Sequence, residues 1–155
     1  MKKFIFAALS LLATPVSAHE AMIGQWAITG TTDYECAAIY YSDDGKIALN
    51  YDGQNKTVSV LFSANSKVVS PTSMILLHDG QVVDSYPDLR FYEIDFDGVF
   101  DYDMDKPMRD PLDQFKKANQ IVIVAKNRKI MFSVGNSTAA MDNLRYCAAN
   151  HRYGQ

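Results

Sequence analysis

Residues 132–147 have the sequence FSVGNSTAAMDNLRYC, in which a strand pattern passes directly into a helix pattern. Gly135 marks the break between the two patterns, as glycine commonly does. Asn136 or Ser137 is suited to cap the helix, because a short polar side chain accepts a hydrogen bond from a free N–H at a helix start. We therefore predict a C-terminal helix near residues 137–150.

Short strand patterns separated by turn residues occupy most of the preceding chain. Val58, Val60 and Phe62 alternate with other residues in the two-residue period of a strand that is buried on one face. Asp-Gly steps favour the positive φ angles of tight hairpin turns, and turn signals recur about every eight to twelve residues. Strands are predicted at Gln25–Thr29, Cys36–Tyr41, Lys46–Asn50, Thr57–Ser63, Met74–Leu77, Gln81–Tyr86, Arg90–Phe96, Gln120–Lys126 and Lys129–Val134.

A second, shorter helix is predicted near residues 111–119. Asp110 is suited to be its cap, and Pro111 fits the first helical position, where the missing N–H has no cost. The predicted fold class is therefore mainly β: an antiparallel β-sandwich or curled sheet, with a short helix near residues 111–119 and a C-terminal helix near residues 137–150.

The first residues have the pattern of an export signal. Two lysines precede an apolar stretch of about ten residues, which is shorter than the roughly 20 needed to span a membrane. Val16 and Ala18 fit the positions that a signal peptidase recognises. We predict a signal peptide at residues 1–18, cleavage that leaves His19 first, and one domain at residues 19–155 in the periplasm or secreted.

Two cysteines remain after this cleavage, and in an oxidising compartment such a pair usually forms a disulfide. Cys36 opens a predicted strand. Cys147 shares one stripe of the C-terminal helix with Met141 and Leu144. We predict a Cys36–Cys147 bond that fastens this helix to the sheet. The alternative is a nucleophilic thiol, which needs a histidine and a lowered pKa, and neither cysteine lies in a Cys-x-x-Cys pair.

The charge of the mature chain limits the classes of partner. Removing residues 1–18 takes away two of the 15 basic residues and no acids, which leaves 13 − 18 = −5. An acidic domain lacks the cationic surface that drives nucleic-acid binding, so we expect no nucleic-acid partner. No second long apolar run follows, so we expect no stable membrane insertion after cleavage.

The order of these features resembles a known family. A tryptophan opens the domain (Trp26), a cysteine begins the second strand (Cys36), and a helix and hairpin precede residues 132–147. This is similar to small exported bacterial domains of the invasion-associated locus B type and related uncharacterised periplasmic proteins. The resemblance implies a β-rich fold with a C-terminal helix and no established enzymatic site. Fewer cysteines and a longer acidic middle segment separate this chain from that pattern, so a role in host invasion is not carried over.

The segment Glu93–Asp105 is the densest acidic feature. If it is extended, Asp101, Asp103 and Asp105 project to one side, where carboxylates could form a weak Ca²⁺ site. The EF-hand pattern fails, because its glycine and final glutamate positions hold other residues. The other interpretations are a half-buried edge strand with a charged face, a recognition surface for a basic partner, and the carboxylate pair of a small hydrolase.

The histidines and motifs give little support to catalysis. His19 would be the new N-terminus and could chelate a metal there, His78 falls in a predicted hairpin turn, and His151 lies in the tail. The sequence contains no His-Glu-x-x-His, no Gly-x-Ser-x-Gly and no glycine-rich phosphate loop. We predict a non-catalytic periplasmic binding domain for a protein or envelope component, without a cofactor. The alternative is a small periplasmic hydrolase that uses carboxylates of Glu93–Asp105.

Overall fold

The computed structural model of the protein describes residues 21–43, 45–96, 99–104 and 108–152. The predicted signal peptide, His19 and Asp105 lie outside these residues. Twelve strands and two helices are described. In chain order they are β1 Ala21–Ile23, β2 Trp26–Thr32, β3 Glu35–Ser42, β4 Gly45–Asp52, β5 Thr57–Ala64, β6 Pro71–His78, β7 Gln81–Tyr86, β8 Phe91–Phe96, β9 Val99–Met104, β10 Met108–Arg109, α1 Leu112–Lys117, β11 Gln120–Ala125, β12 Lys129–Ser133 and α2 Ser137–Asn150.

The strands form two antiparallel sheets. Sheet A has eight strands in the order β1-β2-β3-β4-β5-β9-β8, and β10 pairs with the beginning of β5 beside β9. Sheet B has four strands in the order β12-β11-β6-β7. The predicted fold class is confirmed: the protein is mainly β, with a short helix and a C-terminal helix at the expected places.

One face of sheet A, which we call the inner face, is buried because its residues alternate as the sequence predicts. In β5 the side chains of Val58, Val60 and Phe62 are completely buried. Tyr102 lies opposite Phe62, and the two rings stack with their centroids 4.6 Å apart. The hydroxyl of Tyr102 donates to the carbonyl oxygen of Val68 at 3.1 Å. This hydrogen bond holds the connection between β5 of sheet A and β6 of sheet B.

The two helices complete the layer that covers the inner face. Helix α2 packs on β2, β3 and β4, and α1 packs beside α2 and against β6 and β7. Leu144 and Ala148 of α2 are fully buried. At Gly53 a Cβ would lie only 3.1 Å from the Cβ of Ala148, so α2 passes close to the β4–β5 turn and a larger residue there would have to displace it by a few tenths of an ångström.

Three sequence expectations need correction. Asp110 does not cap α1: the capping position is Pro111, without a side-chain hydrogen bond, and the Asp110 carboxylate faces Arg145 at 3.7 Å. Asn136 occupies the capping position of α2, but likewise forms no side-chain cap. The segment Glu93–Asp105 is not one edge strand, because its second half, β9, pairs on both sides with β5 and β8.

None of the helices within the described ranges is long and apolar enough to cross a membrane.

Candidate binding surfaces

The predicted disulfide is present and determines which face of sheet A is covered. Cys36 in β3 is bonded to Cys147 in α2, with their Cα atoms 6.1 Å apart. Both residues are buried, on the inner face and on the apolar stripe of the helix as the sequence predicts. The bond therefore holds α2 on the inner face of sheet A. The helix does not cover the opposite face.

The beginning of α2 is held separately by the first hairpin. The indole Nε1–H of Trp26 donates to the carbonyl oxygen of Gly135 at 2.8 Å. Asn136 adopts a left-handed backbone conformation with φ 55°, and its side chain lies against Gly24, where a Cβ would clash. The side chain of Asn136 is thus packed on the β1–β2 turn, which explains why it does not cap its own helix.

The outward face of sheet A, which we call the open face, is formed by the residues that alternate with the buried ones. The strand registers join them into two rows across the sheet. One row runs Tyr41, Lys46, Ser63, Asp101, Ile94, and the next runs Ala27, Ile39, Ala48, Leu61, Asp103, Tyr92. Among the described elements, the helices and sheet B pack on the inner face.

The open face carries an unusual share of exposed apolar side chains. Of the nine large apolar residues that are exposed in the described part of the chain, five lie on this face: Met22 at 66%, Tyr41 at 51%, Tyr92 at 63%, Ile94 at 51% and Val99 at 48%. They form two groups, Met22 and Tyr41 on β1 and β3 and the other three on β8 and β9, with β4 and β5 between the groups. A cluster of exposed large apolar side chains such as that on β8 and β9 is typical of an interaction site.

The charges on the open face are mainly negative. Its described strand residues include two basic side chains, Lys46 and Arg109, and four carboxylates. The carboxylates are Glu35, Asp52, Asp101 and Asp103. The Oδ1 atom of Asp101 is buried and has no hydrogen-bond donor in the described structure. A buried carboxylate oxygen without a donor is costly, so this face would be stabilised by an incoming cation.

The carboxylate of Asp52, unlike Oδ1 of Asp101, accepts hydrogen bonds from neighbouring residues. Burial opposes its ionisation, but hydrogen bonds from the backbone N–H groups of Asn55 and Gln54 and from the Asn55 amide lower the pKa of this carboxyl below its usual value. Asp52 is therefore ionised at neutral pH and adds a fixed negative charge at the end of the open face near β3 and β4.

The structure separates the carboxylates of the acidic segment. Asp101 and Asp103 lie side by side on the open face, as predicted. Glu93 opposes Tyr102 on the other face of the hairpin, where it forms an ion pair with Lys67 at 3.1 Å. Asp105 is outside the described residues. In the described ranges, no three His, Cys, Asp or Glu side chains come together as a metal site, so the cation hypothesis gains no support there.

The two histidines that the structure describes differ in their surroundings. His78 ends β6 with its side chain 60% exposed, 3.5 Å from the carboxylate of Asp79. His151 does not lie in a free tail: its ring rests on Gly30, where any Cβ would clash with the imidazole. The contact of the His151 ring with Gly30 was not predictable from sequence, because it depends on where α2 ends relative to β2.

A groove that the sequence did not predict lies between α1, the start of α2 and the β6–β7 hairpin. Its outer part, of about 740 Å³, is lined by His78, Val83, Asp113, Lys116, Lys117 and Thr138. Its inner part, of about 520 Å³, reaches the backbone of residues 135–139. These residues come from four separate segments, so only the tertiary fold brings them together. The glycine and small polar residues before α2 are the one sequence signal that could have indicated it.

Comparisons with known proteins find no matching family model, no matching curated protein and no matching solved structure.

Proposed function

We propose that the protein is an exported, non-catalytic binding domain that takes a cationic, partly apolar protein partner on its open face. The observation that carries the proposal is the open face itself, where Tyr92 and Ile94 are exposed beside Asp103 and Asp101. Aromatic side chains next to carboxylates match a partner that presents arginine or lysine together with apolar residues.

The charge of the partner follows from the charge of the face. Four carboxylates stand against two basic residues among the described strand positions of the open face. Lys46 is two strands away from Asp101, a distance of roughly 10 Å at the usual strand spacing, so it does not neutralise the carboxylate directly. An arginine of a partner could donate to Asp101 and lie over the ring of Tyr92.

The location of the protein is part of the proposal. The signal peptide predicted at residues 1–18 and the Cys36–Cys147 bond both favour an oxidising compartment outside the cytoplasm. The periplasm is the proposed site of action. The resemblance to domains of the invasion-associated locus B type remains a prediction, and it supports the location and the absence of an established catalytic site rather than a role in invasion.

The hydrolase alternative draws less support from the geometry. Hydrolysis by two carboxyl groups requires that they flank a bound substrate in a cleft. Asp101 and Asp103 instead project in a row from one strand of a flat face, and Glu93 lies on the opposite side of the same hairpin. This arrangement favours recognition of a charged partner over catalysis.

The proposal is tested by photo-crosslinking in cells that export the protein. A photoreactive phenylalanine analogue replaces Tyr92 on the open face. Tyr146, which is 68% exposed on α2, receives the same analogue as the matched control. We expect a distinct crosslinked product from position 92 and not from position 146. The captured protein, once purified, should bind the unlabelled domain with an affinity that falls as salt rises.

Removal of the two negative charges makes the test specific. The double variant Asp101→Asn and Asp103→Asn should weaken binding of the purified partner about tenfold or more, since it removes the carboxylates that face the cation. Equal capture from both positions, or unchanged affinity of the double variant, would refute the proposal. Capture of a second copy of this chain alone would replace it with self-association through the open face.

A further inference from the structure

We infer that the protein forms a symmetric dimer in which the outward face of sheet B packs against the same face of a second copy. This face, which we call the outer face of sheet B, is formed by the residues that alternate with the core residues of β6, β7, β11 and β12. It is directed away from sheet A, so the inference goes beyond the proposed function and leaves the open face accessible to its partner.

The outer face of sheet B is apolar and almost uncharged. The strand registers place eleven described residues on it, and six of them have large apolar side chains: Ile75, Leu77, Val82, Val122, Val124 and Met131. The other five are Ser73, Ser85, Gln120, Ser133 and Lys129. These eleven residues include no carboxylate and no aromatic ring, and their single charge, Lys129, lies at the beginning of the edge strand β12.

The apolar side chains of this face are neighbours across the sheet. Val122 lies between Ile75 and Met131 in one row, and Leu77 lies beside Val82 in the next. Val82 is 65% exposed and Met131 is 48% exposed, whereas Val122 is buried between its neighbours. The described helices pack in the layer on the inner side of sheet A, so they leave this cluster uncovered. An uncovered apolar cluster of this kind is typical of an interface.

The two central strands of sheet B have the sequences of strands that are covered on both faces. Five consecutive apolar residues, 121–125, lie in β11, and four, 74–77, lie in β6. A strand with one solvated face normally alternates apolar and polar residues, whereas a strand buried on both faces has a continuous apolar run. The composition of β6 and β11 therefore fits strands between two layers, of which a single copy supplies one.

A second copy is the occupant that fits this face best. An apolar, nearly neutral surface is matched by another of the same kind, and an isologous pair presents the same residues from both sides. Lys129 lies at a corner, so a two-fold axis along the strands sets it near the exposed Asp88 of the second copy, which follows β7 at the same end of the sheet. A membrane is a poorer match, because membrane-binding faces usually carry several basic and aromatic residues.

The size of the face sets the strength of the dimer. The shortest strand of sheet B, β12, has five residues. Four strands spaced about 4.8 Å apart, with about five residues each at roughly 3.4 Å per residue, give a face of about 19 by 17 Å. Two such faces with interleaved side chains bury roughly 1,000 Å² in total, which is the lower limit for a specific interface. We therefore expect a reversible dimer with a Kd of about 10–100 µM.

The inference is tested by analytical ultracentrifugation of the oxidised domain from about 1 to about 500 µM. We expect a monomer–dimer equilibrium in the stated range of Kd, without larger species, because a two-fold interface closes on itself. Nuclear magnetic resonance spectra of the ¹⁵N-labelled protein, recorded over the same dilution series, should show concentration-dependent shifts of the Ile75, Val122 and Met131 amides.

A charged variant decides whether this face forms the dimer. The double variant Val82→Lys and Met131→Lys should raise the Kd at least tenfold, because it buries unpaired charges in an apolar interface. Both side chains are exposed in the single copy, so its circular dichroism spectrum should be unchanged. Tyr92→Lys on the open face is the matched control and should leave the Kd unchanged.

Four outcomes would overturn the inference. The first is a monomer at 500 µM, and the second is an unchanged Kd in the double lysine variant. The third is a dimer that Tyr92→Lys dissociates and the double variant does not, which would place self-association on the open face. The fourth is flotation of the protein with vesicles of phosphatidylethanolamine and phosphatidylglycerol that is lost in the double variant, which would make a membrane the occupant of this face.

Discussion

Removal of the disulfide should lower the free energy of unfolding by about 5 kcal/mol. The perturbation is the double variant Cys36→Ala and Cys147→Ala, since serine would bury two hydroxyls where the sulfur atoms are now buried. The bond joins residues 111 positions apart in sequence. The chain-entropy relation for a loop of that length gives about 16 cal/mol/K, or about 4.8 kcal/mol at 25 °C.

The origin of this effect lies mainly in the unfolded chain. With the bond intact, unfolding cannot separate β3 from α2, so the unfolded ensemble has less entropy to gain. A loss of about 5 kcal/mol is a third or more of the free energy of unfolding of a typical domain. The variant should still form the same sheets, because Phe62 packs against the rings of Tyr102 and Phe91 and the strand pairing of sheet A does not involve the sulfur atoms.

Urea denaturation followed by far-ultraviolet circular dichroism measures this difference. The oxidised protein, the same protein kept reduced, and the double alanine variant are compared at one pH. The reduced protein and the variant should unfold at similar, lower urea concentrations, and their m-values should rise because an uncrosslinked chain exposes more surface. A loss below about 1 kcal/mol, with no change in m-value, would refute the proposed role of the bond in fastening α2.

The remaining predictions concern the contacts that position α2 and the ionisation of a tyrosine. Gly53→Ala should cost about 1–3 kcal/mol in urea denaturation, because the new Cβ meets Ala148 at 3.1 Å. Trp26→Phe should cost about 2–3 kcal/mol by circular dichroism, because a buried indole hydrogen bond is lost. Burial and Asp84 raise the pKa of Tyr86, so the contribution of Tyr86 to stability should be constant below pH 10 and be lost as pH rises above it. Tyr86→Phe should flatten that alkaline decline in pH-dependent denaturation.

Each of these predictions has a control variant or a result that would contradict it. Gly135→Ala is the control for Gly53→Ala, since a Cβ there meets nothing within 4 Å, and its stability should stay equal or rise slightly. Equal losses at both glycines would contradict the packing argument. A Trp26→Phe variant as stable as the parent would show that the indole does not fix the start of α2. An unchanged alkaline slope in Tyr86→Phe would remove that tyrosine from the pH response.

The fold was largely predictable because its signals are local. Alternation in β5 and hairpin turns such as Asp79-Gly80 indicated most strands, and the spacing of Met141, Leu144 and Cys147 indicated the side of α2 that is buried. The two cysteines then linked helix and sheet. Three strands were not among those predicted. The two-residue strand β10 and the three-residue strand β1 are too short to show a period, and β9 was considered only as a possible extension of the acidic segment.

The candidate sites were predicted less completely, because they depend on which elements meet. Alternation placed Asp101 and Asp103 on one side, but only the register shows Tyr92 and Ile94 beside them on an uncovered face. Asp110 had the sequence signature of a helix cap. The structure instead directs its carboxylate towards Arg145, an attraction between distant parts of the chain that no local pattern reports.

The most direct test of the predicted export and of the bond that holds the last helix is intact mass spectrometry of the native protein purified from whole cells. The prediction is a chain that begins at His19, with a mass two hydrogens below that of the reduced form and a single peptide link between Cys36 and Cys147. A chain that keeps residues 1–18, or one with both thiols free, would contradict it.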